Sequence, residues 1–263
     1  MSYLATATHF DTAMTLIEVG SLRLLTDPVF DQAGSRFDHG PVHLEKTSEP
    51  MITPTALGCL DAVLLSHDQH GDNLDHAGRA ILSKVPRVLT TPAAASRLAA
   101  ANVEGLIDWQ SVTLTGCRGD RWVVTAVPAQ HGPDGTQEAT GPVTGFLITP
   151  EDEGGRPVYI SGDTVRFEGT RQIAARCAPV GLAILHLGKV QLAPMGELVF
   201  SLSAAEAVRY SEDLQAAHVI PVHYDGWRHF TEGRSAAEAV FEQSSIADRL
   251  TWLQPGLQAT FTL

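Results

Sequence analysis

Residues 66–75 read "SHDQHGDNLD" and follow directly on the run "DAVLL" at 61–65. A short apolar run bounded by polar residues predicts a buried strand, which puts the ten-residue loop at that strand's C-terminal end. The loop carries two histidines, three aspartates, a glutamine and an asparagine around Gly71. Imidazole and carboxylate are the preferred ligands of zinc, manganese and iron. His67, His70 and Asp72 fall within six residues, a density that favours a metal site over a solvated turn.

The same placement recurs further along the chain. His131 follows "VVTAVPAQ", Asp163 follows "VYISG" and His223 follows "HVIPV". A lone histidine after a strand is ordinarily a surface or core-edge residue, and Asp163 alone reads as an Asx-turn or N-cap residue. Four polar clusters at equivalent strand ends are better explained by one shared metal pocket, held by a rigid sheet behind it.

The rest of the pattern supplies that sheet. Residues 13–30 predict two strands around Gly20-Ser21, and further strands are expected at 87–91, 111–114, 121–129, 143–149, 157–161, 181–187, 217–223 and 257–263. Helices are expected at 76–85, at 92–101 with Pro92 in the first turn, at 203–214 and at 235–245. Ser203 with Glu206 is a capping-box pattern. "PEDEGGRP" (150–157) reads as a hairpin turn. The stretch 31–55, with His39 and His43, has little periodicity and suits a lid or substrate loop. One domain over residues 1–263 is expected, with sheets inside and helices outside.

Composition narrows the function classes. The 263 residues carry a formal net charge of −12, which disfavours a protein that coats DNA or RNA. Cys59, Cys117 and Cys177 show no metal-binding spacing, and their odd number suits a reducing compartment. The first residues lack a basic start followed by an apolar core, and no run approaches about 18 uninterrupted apolar residues. A cytoplasmic protein without membrane contact is the expectation.

Taken in order, "TLIEVGSLRLLTDPVF", "LLSHDQHGDNLD", "PAQHGP", "YISGDT" and "VIPVHYDGW" resemble the metallo-β-lactamase superfamily of hydrolases. Within it the chain is most similar to the branch of L-ascorbate-6-phosphate lactonase and N-acylphosphatidylethanolamine phospholipase D. The resemblance implies an αββα sandwich, an α/β architecture of two facing mixed sheets with the metals at one edge. It also implies roles for residues of the loop pattern His-x-His-x-Asp-His. His67 matches the first histidine. In strict register Gln69 takes the second place; with one extra residue in the loop His70 takes it, and Asp72 and Asn73 fall on the Asp-His pair. The second alignment is preferred, because it recovers His-x-Asp with only the final histidine replaced. His131, Asp163 and His223 match the third histidine, the bridging carboxylate and the last histidine.

An amide oxygen at Asn73 is a weak donor in place of imidazole, which leaves the second metal position with the oxygen-rich set Asp72, Asp163 and His223. One or two divalent ions are therefore expected, zinc or manganese, with iron or nickel as further options. The expected chemistry is attack of a metal-activated water on a small-molecule ester, with Asp72 as the candidate to orient that water and take its proton. A phosphodiester stands slightly ahead of a lactone or carboxylic ester, and a decayed metal- or ligand-binding regulatory protein is the non-enzymatic alternative. Asp27 and His186, at strand ends, are candidates for contact with the ligands. Tyr224, Trp227, Arg228 and His229 are candidates for binding the substrate. The expected partner is a small molecule; a large nucleic acid is not expected, and a homo-oligomer stays open.

Overall fold

A computed structural model describes residues 3–39, 42–152 and 154–263, apart from the His39 side chain. Three N-terminal strands, β1 (Leu4–Asp11), β2 (Met14–Val19) and β3 (Leu22–Thr26), form an antiparallel meander. The β2–β3 turn falls at Gly20, whose φ of +59° is open to glycine without strain. A short hairpin follows, β4 (Arg36–His39) and β5 (Val42–Glu45). Then β6 (Ala62–Leu64), β7 (Val88–Thr90) and β8 (Val103–Gly105) extend the meander in parallel.

The second sheet is built from β9 (Ser111–Thr115), β10 (Arg121–Pro128), β11 (Thr144–Pro150), β12 (Val158–Ile160), β13 (Leu182–His186) and β14 (His218–Val222). The last strand, β15 (Gln258–Thr262), returns to pair with β1. The strand orders are β15-β1-β2-β3-β6-β7-β8 and β14-β13-β12-β11-β10-β9, so both sheets mix parallel and antiparallel pairs.

Alternation along the strands sends one face of each sheet inward. Ile17, Leu24 and Leu64 of the first sheet share a buried cluster with Trp122, Phe146 and Ile160 of the second. Helices cover the outer faces. α1 (His76–Ile81) packs Ile81 against Leu25 and Val63, and α2 (Pro92–Leu98) follows it on the chain. Beyond the short α3 (Gln137–Thr140), the helices α4 (Glu168–Cys177), α5 (Ala204–Asp213) and α6 (Arg234–Glu242) bury Ile173, Tyr210 and Phe241 beneath the second sheet. This is the expected αββα sandwich.

The α5 cap is the expected one: Ser203 accepts from the Glu206 backbone while the Glu206 carboxylate accepts from Ser203. The helices expected at 76–85 and 92–101 end earlier, at Ile81 and Leu98, the first passing into a single 3-10 turn at Leu82–Lys84. The elements not anticipated are β1, β4, β5, β8, α3 and α4. In α4 only Gly169, Thr170 and Ile173 are buried, too sparse an apolar stripe to stand out in the sequence. The turn predicted at 150–157 joins antiparallel β11 and β12; Glu153 within it lies outside the described residues. Among the described residues no helix is long and apolar enough to cross a membrane.

Candidate metal centre

His67, His131, Asp163 and His223 sit within three residues of the C-terminal ends of β6, β10, β12 and β14, on one edge of the sandwich, and His70 and Asp72 follow in the loop after β6. The chain turns sharply there. Asp27, Gly162 and His223, just past β3, β12 and β14, all have positive φ, at 33°, 60° and 60°. For the two non-glycine residues this conformation costs on the order of 1–3 kcal/mol and is held by surrounding contacts, including a 2.6 Å hydrogen bond from the His223 N–H to the Thr12 carbonyl. At Gly162 a Cβ would lie 2.6 Å from the Thr144 carbonyl oxygen of the neighbouring β11 and 3.2 Å from the Ser66 Cβ just past β6, so only glycine fits there.

Two triads result. His67, His70 and His131 bring one nitrogen each to within 4.8 Å of one another, and Asp72, Asp163 and His223 do the same with two carboxylate oxygens and a nitrogen. The His70 Nδ1 is 3.0 Å from His67 Nε2 and 3.1 Å from His131 Nε2. Tetrahedral zinc at ordinary Zn–N distances separates its nitrogens by about 3.3 Å, so the first triad fits such an ion. The other ring nitrogens of His67, His131 and His223 are occupied. Ser66 donates to Asp27, so its hydroxyl accepts from His67 Nδ1 at 2.9 Å. His131 Nδ1 donates to the Phe200 carbonyl at 2.6 Å, and His223 Nδ1 to that of Leu187 at 3.2 Å. Each bond fixes the tautomer that leaves Nε2 its lone pair for a metal.

The second triad is buried and incompletely satisfied. Asp72 Oδ1, Asp163 Oδ2 and His223 Nε2 have no hydrogen-bond partner. Orphaned polar atoms of this kind are costly unless a further group completes them, and a divalent cation suits two carboxylates and an imidazole. Asp163 Oδ2 stands 3.4 Å from His223 Nε2 and 3.8 Å from His131 Nε2, between the triads. Burial would raise the Asp163 carboxyl, but His223, His131 and His67 hold it at about 2. Burial would lower His223, but Asp163 and Asp72 raise it to about 9. Burial dominates at His131 and brings it down to about 4.

In the 66–75 loop His70, and not Gln69, joins the first triad. Gln69 points away from both triads: its Nε2 donates to the Thr140 and Pro142 carbonyls at 2.9 and 3.0 Å, and its Oε1 accepts from Arg97 at 2.8 Å. Asp68 beside it is gripped by Arg97 Nε at 3.0 and 3.1 Å. Asn73 is fully buried, and its Nδ2 donates to Asp27 at 3.3 Å and to Asp163 Oδ1 at 3.4 Å. Asp27 therefore collects Ser66, Asn73 and, at 3.4 Å, His186 Nε2. His186 is held from its other side by Ser161.

A cavity of about 280 Å³ opens above the first triad, with His70, Asp72, His131 and His229 on its floor. His229 Nε2 is 2.9 Å from Asp72 Oδ2. The other three candidate substrate contacts do not line this cavity. Tyr224 is buried in the outer core with its ring edge-on to Trp252, and Trp227 packs on Phe37 and donates to Thr12. The Arg228 side chain is 70% exposed and pairs with Glu45. The β4–β5 hairpin supplies a wall through Val42 and Leu44, whereas His43 is exposed and pairs with Asp38.

Three contributors escaped the sequence reading. Ser66 is marked only by its position before His67. The 190–200 segment supplies the opposite wall, and its Leu192, Met195 and Phe200 lack any recognisable period. Lys46, fully buried, pairs with Asp11 and ties the hairpin to the end of β1.

With this geometry in view, the comparisons with known proteins agree. Residues 22–224 match the family model of the beta-lactamase superfamily domain, and the chain belongs to that family. It is 28% identical over 219 residues to a UPF0173 metal-dependent hydrolase of Methanosphaerula palustris, covering 79% of this chain and 90% of the relative. A relative of the same description from Pyrococcus furiosus is 24% identical over 201 residues, covering 72% and 83%. Among solved structures, an isothiocyanate hydrolase from Delia radicum gut bacteria superposes with a TM-score of 0.83 at 18% identity, over 98% of this chain and 100% of that one. Igni18, a metallo hydrolase from Ignicoccus hospitalis, superposes with a TM-score of 0.69 at 18% identity, over 98% of both chains.

Proposed function

We propose that this chain is a metal-dependent hydrolase that cleaves a small-molecule ester. The observation that carries this reading is the pair of triads at one cavity, which His70, Asp72 and His131 line, the second triad with three buried polar atoms lacking partners. His67, His70 and His131 would hold one divalent ion, Asp72 and His223 a second, with Asp163 between them. When bound, such ions lower the pKa of a coordinated water from about 15.7 towards about 7 and polarise the electrophile's oxygen. Ser66, Phe200 and Leu187 keep the three imidazoles in ligand tautomers. Asp72 Oδ1 is the acceptor for the proton of the attacking water, and Asp72 Oδ2 is braced by His229.

Metal analysis of protein purified without added metal tests the two-ion reading. Two equivalents, or one rising to two with manganese, are expected; one equivalent of zinc unchanged by manganese counts against it. Chelation should abolish ester turnover and metal should restore it. In Asp72→Asn, activity lost at full metal content supports the proton role, whereas metal and activity lost together make Asp72 a ligand only.

A further inference from the structure

We propose that the cavity selects a substrate with no charge outside its reacting bond and with a compact apolar group beyond it, and refuses one whose far end carries a second ionised group. This rests on the hydrolase reading above and applies to a carboxylic ester, a lactone or a phosphodiester alike.

The argument is the distribution of polarity. All ionisable groups of the cavity lie on its floor, in His70, Asp72, His131 and His229. The walls are Val42 and Leu44 from the hairpin and Leu192, Met195 and Phe200 from the 190–200 segment. Among the described lining residues there is no lysine or arginine. The cations beside the hairpin wall are committed elsewhere: Lys46 is buried against Asp11, and Arg36 and Arg228 are largely exposed and pair with Glu45. A phosphate or carboxylate reaching past the floor would be desolvated against apolar side chains with nothing to pair it. The net charge of −12 adds long-range repulsion of anions. An alkyl group gains there, by about fourfold per buried methylene.

The test uses the metal-replete protein and three p-nitrophenyl series with the same leaving group: acyl esters from acetyl to octanoyl, alkyl phosphodiesters of equal length, and acyl esters ending in a carboxylate. For the uncharged esters kcat/KM should climb about fourfold per methylene until the cavity is full. The esters ending in a carboxylate should be at least about tenfold slower than uncharged esters of equal length, and the phosphodiesters should show the same climb with chain length. Leu192→Lys, a wall substitution, should erase most of the penalty on the carboxylate. Calorimetry with hexanamide against the monoamide of adipic acid, ionised at its far end, reads the same selectivity without turnover. Equal or faster hydrolysis of the carboxylate-ended esters, a flat chain-length series, or tighter binding of the ionised amide would overturn the inference. Preferential hexanamide binding without metal-dependent turnover would uphold the selectivity and overturn the hydrolase reading instead.

Discussion

Ser66 shows how much of the centre depends on a residue that touches no metal. Its hydroxyl links the Asp27 carboxylate to His67 Nδ1, and its backbone N–H donates to the same aspartate at 2.7 Å. Ser66→Ala keeps the backbone bond and the fold but frees the His67 ring to change tautomer. Loss of such a supporting bond typically costs 10- to 100-fold in metal affinity. A titration of metal-free Ser66→Ala with zinc should show that weakening with an unchanged circular dichroism spectrum; wild-type affinity would mean that packing alone orients His67. Asn73 is the other residue whose meaning changes. In the sequence it stands where a histidine is expected, and nothing there says what an amide would do. The structure gives it a donor's part: it joins Asp27 to Asp163, so one buried amide holds two carboxylates that would otherwise repel. The six ligand candidates were legible because each follows an apolar strand. The acceptors that aim three of them were not, because Ser66, Phe200 and Leu187 act through a hydroxyl and two backbone carbonyls that carry no sequence signature.

At the level of elements, the extra residue in the 66–75 loop needs an anchor, and Arg97 on α2 provides it. The Asp68 side chain is 2% exposed and Arg97 binds both its oxygens, while the same guanidinium reaches Gln69. Arg79 on α1 supports the loop by donating to the Asp68 carbonyl at 2.9 Å. Arg97→Ala leaves a buried carboxylate with weaker partners, which should cost about 1–3 kcal/mol. Urea denaturation should report that loss, and zinc affinity should fall with it as His70 loses its fixed approach; unchanged stability would show that Arg79 suffices. The strands behind the site were readable from the sequence, since β6, β12, β13 and β14 are short apolar runs buried on both faces. The hairpin was not. β4 and β5 make one two-stranded ladder over the cavity, and among their described side chains only Leu44 is buried, so neither run shows the alternation that marks a strand. Its place is set from a distance, by Lys46 on Asp11 and by the Arg228 N–H donating to the Glu45 carbonyl.

Across the whole molecule, the packing of the fold buries His9 where the neutral ring is favoured, and this ties stability to pH. His9 on β1 is 2% exposed, and its Nε2 donates to the Thr12 carbonyl at 3.0 Å. Burial lowers its pKa below 6.5, against the opposing pull of that carbonyl and of Asp225 and Asp11. The sign follows from proton binding. Above pH 6.5 neither the folded nor the unfolded chain protonates His9, so it adds no pH dependence. Below 6.5 the unfolded chain takes up a proton that the folded chain refuses, and stability is lost as the pH falls towards the folded pKa, by at most about 1.4 kcal/mol per pH unit. In a protein of this size that is a fall of roughly 2–5 °C per unit in melting temperature. His9→Phe keeps a ring in the slot and removes the titration, and the Thr12 carbonyl still accepts from the His223 N–H. With chelator present to remove metal competition, wild type should lose more melting temperature than His9→Phe between pH 7 and pH 5.5. Parallel curves would assign the acid sensitivity to the histidines of the centre, where His131, already held at about 4, is the next group that must charge on unfolding.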